Sequence, residues 1–207
     1  MKLTAFALLL SLILQSCQNN QETKVQISED TIVSVEEKKE VEKETVLPKQ
    51  SLALTLNALQ LVDKSSGSTN EIAFGKPIDE MVEIVNNVLQ SKTLGIQINN
   101  ECGVGPLKMA MWSNGLTLVF EETEKGWLFA GWFASSPKDT LQTLTTMSGI
   151  GVGSTRAELE SAYTTKVFKS TLGTEFSISD GLFGLLSGAG KDSKITDMWS
   201  GSSCNFR

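Results

Sequence analysis

The sequence contains no histidine, one tyrosine, four prolines and only three cysteines in 207 residues. Without histidine, the chain lacks the commonest general base and the commonest metal ligand of proteins. The net charge of -6 and the lack of any basic stripe argue against a nucleic-acid partner. No Cys/His cluster for zinc, acidic loop for calcium or nucleophile elbow is present. We therefore expect no metal and no cofactor.

The N-terminus has the pattern of an export signal. Lys2 precedes an apolar run over residues 3–14, which is too short to span a bilayer. Leu14-Gln15-Ser16-Cys17 resembles the bacterial lipobox, whose cysteine is acylated and becomes the first residue of the mature protein. The resemblance implies that Cys17 carries lipid, palmitate included, and anchors the chain to a bilayer. Because Gln18 is not the aspartate of inner-membrane lipoproteins, it also implies the outer membrane of the cell envelope. The alternative is an ordinary secretory peptide with a leftover cysteine.

The other two cysteines are predicted to pair. Export places Cys102 and Cys204 in an oxidising compartment, where disulfide formation is the default. A bridge between them would close a loop of about 100 residues, worth about 4–5 kcal/mol in the chain-entropy estimate. Two buried free thiols are the alternative.

Composition divides the chain into a signal peptide (residues 1–16), a lipidated cysteine with a disordered charged tether (17–50) and a folded domain (51–207). Within the domain, an apolar stripe after Pro77 predicts one helix. A capping box formed by Thr155 and Glu158, with Ser154 as the alternative cap, predicts a second helix after the glycine-rich residues 149–153. Short strands follow each helix. The predicted fold class is α+β, with two tandem units over about 51–134 and 146–207, each a helix packed on a small antiparallel β-sheet.

One hairpin signal also predicts a register. Asn114-Gly115 favours a two-residue turn, which would place Trp112 opposite Thr117. A four-residue second loop would then place Thr117 opposite Trp132. The resulting row of Trp112, Thr117 and Trp132 is the candidate binding surface, on the face away from the first helix. It would either be the contact between the two units or a recognition surface for a partner.

Several segments carry a family resemblance: Phe74-Gly75-Lys76-Pro77, residues 149–163, residues 195–201 and Cys204-Asn205-Phe206-Arg207. They resemble a group of bacterial envelope lipoproteins without an established role. The repeated helix-then-sheet plan is similar to the fold shared by beta-lactamase inhibitor proteins and the SmpA/OmlA lipoproteins. Those families bind other proteins and catalyse nothing, so the resemblance implies a binding role. It assigns no binding residue to a position in this sequence.

Carboxylates are the remaining groups for acid–base chemistry. Acids such as Glu101, Glu121, Glu175 and Asp197 lie in or near predicted strands, but no spacing marks two of them as a pair. We therefore expect a non-enzymatic, lipid-anchored envelope protein that binds an envelope protein or a glycan. A secreted hydrolase that uses two carboxylates is the competing function.

Overall fold

A computed structural model describes residues 48–137, 143–179 and 181–204, which all belong to one unit spanning residues 45–207. Strands account for 49% of these residues and helices for 13%. The predicted signal peptide, Cys17 and nearly all of the tether lie outside the described residues.

The described chain forms twelve strands and two helices. In chain order these elements are β1 (Gln50–Leu54), β2 (Ala58–Asp63), β3 (Thr69–Ala73), α1 (Ile78–Leu89), β4 (Gly95–Asn99), β5 (Leu107–Met111), β6 (Leu116–Thr123), β7 (Gly126–Ser135), β8 (Thr145–Thr146), α2 (Arg156–Ala162), β9 (Thr165–Ser170), β10 (Gly173–Ile178), β11 (Leu182–Leu186) and β12 (Ile195–Gly201). They build a four-stranded sheet of order β3-β2-β1-β8 and an eight-stranded sheet of order β4-β5-β6-β7-β12-β11-β10-β9.

The eight-stranded sheet joins the two halves of the chain. β12, from the second predicted unit, is hydrogen-bonded to β7, from the first, so that Trp199 lies opposite Phe133. The prediction of an α+β fold with two separate helix-on-sheet units is therefore wrong, because the fold is mostly β and one sheet runs through both halves. Two separate sheets would each expose an open edge at β7 and β12, and pairing these strands removes both edges.

Both helices begin near the predicted residues. α1 follows Pro77 and packs one apolar face, formed by Met81, Val85, Val88 and Leu89, into the core. α2 begins after Thr155, whose hydroxyl accepts a hydrogen bond from the Glu158 amide while the Glu158 carboxylate accepts one from the Thr155 amide. The predicted capping box is confirmed. α2 has only seven residues and buries Leu159 alone among its side chains.

The core lies between the two sheets and α1. Leu54 and Leu59 from the small sheet, Met81 from α1, and Trp132 and Phe176 from the large sheet belong to one buried cluster. Side chains from both halves of the chain therefore share a single apolar interior, which agrees with the continuous sheet.

The predicted register of the β5–β6 hairpin is wrong by one residue. Gly115 has a φ of +86°, but Asn114 is not among the residues with positive φ, whereas the two-residue turn that was predicted needs positive φ at both. The chain instead forms a three-residue loop, closed by a hydrogen bond from the Trp112 amide to the Leu116 carbonyl at 2.9 Å. Met111, not Trp112, lies opposite Thr117.

A second shift occurs between β6 and β7. Phe120 lies opposite Phe129, as predicted, but a bulge between Val119 and Phe120 displaces the pairs that follow. Thr117 consequently lies opposite Phe133 rather than Trp132. A bulge adds one unpaired residue to a strand, so every later side chain moves to the other face relative to its neighbour.

Candidate functional site

The three residues of the predicted surface do not form a surface. Trp132 and Trp112 belong to the buried core and are 0% and 3% exposed. The indole N–H of Trp132 donates to the Thr55 carbonyl at 2.9 Å, and that of Trp112 donates to Asn86 Oδ1 at 2.9 Å. Thr117 lies on the opposite face of the sheet, in the row of Met111 and Phe133. The prediction of one row fails because of the two register shifts.

A different aromatic row, which was not predicted from the sequence, occupies this opposite face. The rings of Phe133, Trp199 and Phe183 stack across three neighbouring strands, with centroids 6.3 Å apart and interplanar angles of 17° and 20°. Trp199 is only 2% exposed. The row stabilises the junction of β7, β12 and β11 and offers little free indole surface to a ligand.

The exposed apolar surface lies instead at one edge of the large sheet. β4 is the edge strand, paired with β5 on one side and with no described strand on the other. Ile96 and Ile98 are 45% and 54% exposed, and Leu94, just before the strand, is 58% exposed. Five large apolar side chains are exposed in the described residues, and three of them fall within these five positions. Such clustering marks an interaction site more often than scattered apolar residues do.

β4 also differs from the edge strands β9 and β3 because it carries no charged side chain. At the far edge of the same sheet, β9 carries Lys166 and Lys169, both exposed. At the edge of the small sheet, β3 carries exposed Glu71. Natural proteins use such charges to prevent edge-to-edge pairing. β4 has the sequence Gly-Ile-Gln-Ile-Asn and carries no charge, so its backbone is open to pairing.

A groove adjoins this edge. It has a volume of about 560 Å³ and lies between α1 and β4, with Val82 and Ile96 as apolar walls. Asp79 and Glu83, one turn apart on α1, and Lys92 supply its charged groups. A strand added to β4 on this side would place alternate side chains against Ile96 and Ile98 beside the groove.

The acids whose pKa values shift have local structural causes. Hydrogen bonds from the Ser65 hydroxyl, and then from the Ser66 amide, the Ser66 hydroxyl and the Ser65 amide, lower the pKa of Asp63. The capping hydrogen bonds from Thr155 lower the pKa of Glu158. Lys191, and then Arg156, lower the pKa of Glu160 through their hydrogen bonds. Each of these groups serves a turn, a cap or an ion pair.

The predicted disulfide is confirmed. Cys102 and Cys204 are bonded, with Cα atoms 5.3 Å apart. The bond joins the β4–β5 loop to the segment after β12, and both cysteines pack with Leu107 and Val119. Ser202, two residues earlier, donates hydrogen bonds from its backbone amide to the Ala130 carbonyl and from its hydroxyl to Glu121. Residues 202–204 are therefore fixed against the large sheet.

Within residues 48–137, 143–179 and 181–204, no group of three or more metal-ligating side chains comes together. No helix of this part of the chain has the length and apolar character needed to cross a membrane. Comparisons with protein-family models, with curated proteins and with solved structures found no match.

β4, which carries the candidate site, was not predicted from the sequence. Its signal was short but present: the alternation of Ile96, Gln97 and Ile98 after a glycine is typical of a strand. Alternation predicts a strand, but it does not predict whether that strand is central or at an edge. That position depends on the pairing of β4 with β5 alone.

Proposed function

We propose that this chain is a non-enzymatic, lipid-anchored protein of the cell envelope that binds another protein through the edge strand β4. The observation that supports the proposal is the uncharged edge with its three exposed aliphatic side chains, Leu94, Ile96 and Ile98. In strand addition, backbone hydrogen bonds supply affinity and alternate side chains supply specificity. β4 offers both features to an extended segment of a partner.

The burial of the tryptophans favours a protein over a glycan as the partner. A sugar-binding platform needs an exposed aromatic face, and Trp112, Trp132 and Trp199 are each at most 3% exposed. Trp127 is half-buried, and the ammonium group of Lys108 lies 4.6 Å from its ring centroid. Little aromatic surface therefore remains for stacking on a sugar.

The hydrolase alternative has weaker support. The groove beside β4 does contain two acids, Asp79 and Glu83, but both side chains are exposed. A carboxylic acid that donates a proton in glycoside hydrolysis is normally held in a buried, apolar environment. An exposed pair on one helix face lacks that environment.

The anchor is tested by one substitution. Cys17→Ser removes the acceptor of the proposed lipid, so the variant should move from the membrane fraction to the soluble fraction. Cell fractionation followed by a high-salt wash measures the change. A Cys17→Ser variant that stays with the washed membranes would refute lipid anchoring through this residue.

The binding edge is tested by adding two charges. Ile96→Lys with Ile98→Lys protects the edge as Lys166 and Lys169 protect β9, so capture of the partner from solubilised membranes should be lost. The control is Thr69→Lys with Asn70→Lys, which adds the same charge to the exposed strand β3. Quantitative mass spectrometry of the captured proteins compares both variants with the wild type.

The two Ile substitutions should leave folding nearly unchanged, because both side chains are about half exposed. A protein whose capture falls with the β4 variant and persists with the β3 variant supports the proposal. Equal capture by all three chains would show that β4 is not the binding edge.

A further inference from the structure

The edge strand β4 has a sequence that complements itself. It reads Gly95-Ile96-Gln97-Ile98-Asn99 and is centred on Gln97, with one isoleucine on each side. Antiparallel pairing of two identical strands about this centre places Ile96 of one copy opposite Ile98 of the other, and Gln97 opposite Gln97. All residues of the strand are then paired, and none of them is charged. A second copy of the chain therefore fits this edge without any repulsion between charges.

Both isoleucines lie on the face of the sheet that α1 covers. Ile96 lines the groove together with Val82 of α1 and is 45% exposed. Ile98 is two residues further along the strand, so its side chain points to the same face, and it is 54% exposed. In the symmetric pair, the isoleucines of the two copies form one cluster of aliphatic side chains on that face. Pairing therefore buries apolar surface that a single copy exposes to water.

Strand pairing fixes the direction of α1 relative to β4. Pro77, immediately before α1, forms a β-bridge with Leu128 of β7. Leu128 lies in one row across the sheet with Glu121 and Leu107. That row ends at Asn99, the last residue of β4. The start of α1 therefore lies near the end of β4, and α1 runs antiparallel to the strand.

The charges of the groove match in the same pairing. Asp79 and Glu83 lie in the first half of α1, whereas Lys92 follows its last residue, and all three are exposed. Antiparallel pairing sets the end of one β4 beside the beginning of the other. Lys92 of each copy therefore approaches the acidic end of α1 in the other copy. Opposite charges placed in this way steer association and favour the antiparallel orientation.

We infer that a second copy of the chain binds β4 when no other protein occupies it, giving a two-fold dimer whose large sheets are continuous. The inference rests on the proposed function, since it names a partner for the same edge. The interface is small, because five paired residues on each side fall well below the about 20–30 of a standard complex. The dimer is therefore weak and exchanges with the monomer, which leaves the edge available to another protein.

A symmetric disulfide tests the register. Gln97 lies on the two-fold axis, so Gln97→Cys places two thiols within the about 4.4–6.8 Å between Cα atoms that a disulfide spans. In the control Ile96→Cys, the two positions are diagonal neighbours about 7–8 Å apart. A second control, Thr69→Cys on exposed β3, measures random collision. Cys102 and Cys204 are already bonded to each other, so the added thiol is the one that reacts in the folded domain.

The measurement uses the full chain, purified in mild detergent and oxidised gently. Gln97→Cys should give several-fold more covalent dimer on a non-reducing gel than either control. A yield from Gln97→Cys no greater than the yield from Ile96→Cys or Thr69→Cys would overturn the inferred pairing.

Sedimentation velocity measures the dimer without a crosslink. The wild type should shift from monomer towards dimer as its concentration rises about a hundredfold. Ile96→Lys with Ile98→Lys should stay monomeric, because pairing would bring four ammonium groups together. The control Thr69→Lys with Asn70→Lys should associate like the wild type. A wild type that stays monomeric, or a β4 variant that associates equally well, would overturn the inference.

Capture from solubilised membranes distinguishes this inference from the proposed function. If the wild type stays monomeric while capture of another protein depends on Ile96 and Ile98, the inference fails and the proposed function stands. If dimer formation depends on these residues while capture of other proteins does not, the inference stands and the proposed function fails.

Discussion

Replacing Trp132 by phenylalanine tests whether this residue is the structural link between the two sheets. Trp132 is fully buried in the large sheet, and its indole N–H donates to the carbonyl of Thr55 in the β1–β2 turn of the small sheet. Phenylalanine keeps an aromatic ring but removes this donor. Leaving a buried acceptor without its partner costs about 1–3 kcal/mol, and the smaller ring leaves a cavity that costs about 1 kcal/mol more.

Trp132→Phe should therefore lower the free energy of unfolding by about 2–4 kcal/mol, and Trp132→Ala should lower it by about 3–5 kcal/mol. The matched control is Trp127→Phe, at a half-buried position where the new ring still faces the ammonium group of Lys108. We expect this control to cost less than about 1 kcal/mol.

Urea unfolding followed by far-UV circular dichroism measures these free energies, provided that the m-value is the same for the three chains. Both substitutions replace a tryptophan by a phenylalanine. The difference between their losses of unfolding free energy therefore reports on the burial of Trp132 and on its hydrogen bond to Thr55. A Trp132→Phe variant as stable as Trp127→Phe would refute the view that Trp132 ties the two sheets together.

Two further predictions concern the disulfide and the cap of α2. Reduction of the Cys102–Cys204 bond, which spans 102 residues, should lower the free energy of unfolding by about 2–5 kcal/mol. The melting temperature should therefore fall when reductant is added. The double variant Cys102→Ala, Cys204→Ala is the control, and its melting temperature should not respond to reductant. The pKa of Glu158 is lowered in the folded state, so its carboxylate stabilises the fold above the unfolded pKa and loses this effect as the pH falls through the folded pKa. Glu158→Gln should therefore lower the melting temperature at neutral pH, and the difference from the wild type should shrink in acid; a constant difference across that range would contradict the assignment.

Local signals were enough to predict the elements that depend on neighbouring residues. The apolar stripe of α1 and the capping box of Thr155 and Glu158 act within a few residues, and both are confirmed. The cysteine pair followed from the number of cysteines left after Cys17 was assigned to the anchor, and the disulfide is confirmed as well.

The predictions that were wrong concern features that depend on long-range strand pairing or on single backbone angles. Nothing in the local sequence of β7 or β12 indicates that Phe133 and Trp199 lie opposite each other, although this pairing decides the fold class. The positive φ of Gly115 alone, without Asn114, changed the hairpin loop and moved Thr117 away from the tryptophans. The loop at Gly115 and the bulge between Val119 and Phe120 therefore removed the predicted surface together. The edge at β4 was missed because edge position is a property of the whole sheet.

The place of β12 in the sheet also sets an order of assembly. Of the twelve described strands it is the last to be synthesised, yet it lies between β7 and β11 in the middle of the large sheet. Before β12 is available, the strands β4–β7 and β9–β11 are two separate pieces with open edges, and completing the sheet requires contacts distant in sequence, which form slowly. Cys204 follows β12 closely, so its disulfide bond to Cys102 forms once β12 has paired in the sheet and then holds it there covalently. A chain that lacks β12 would keep both helices and the other strands but would display unpaired edges at β7 and β11, the kind of surface that chaperones and proteases recognise.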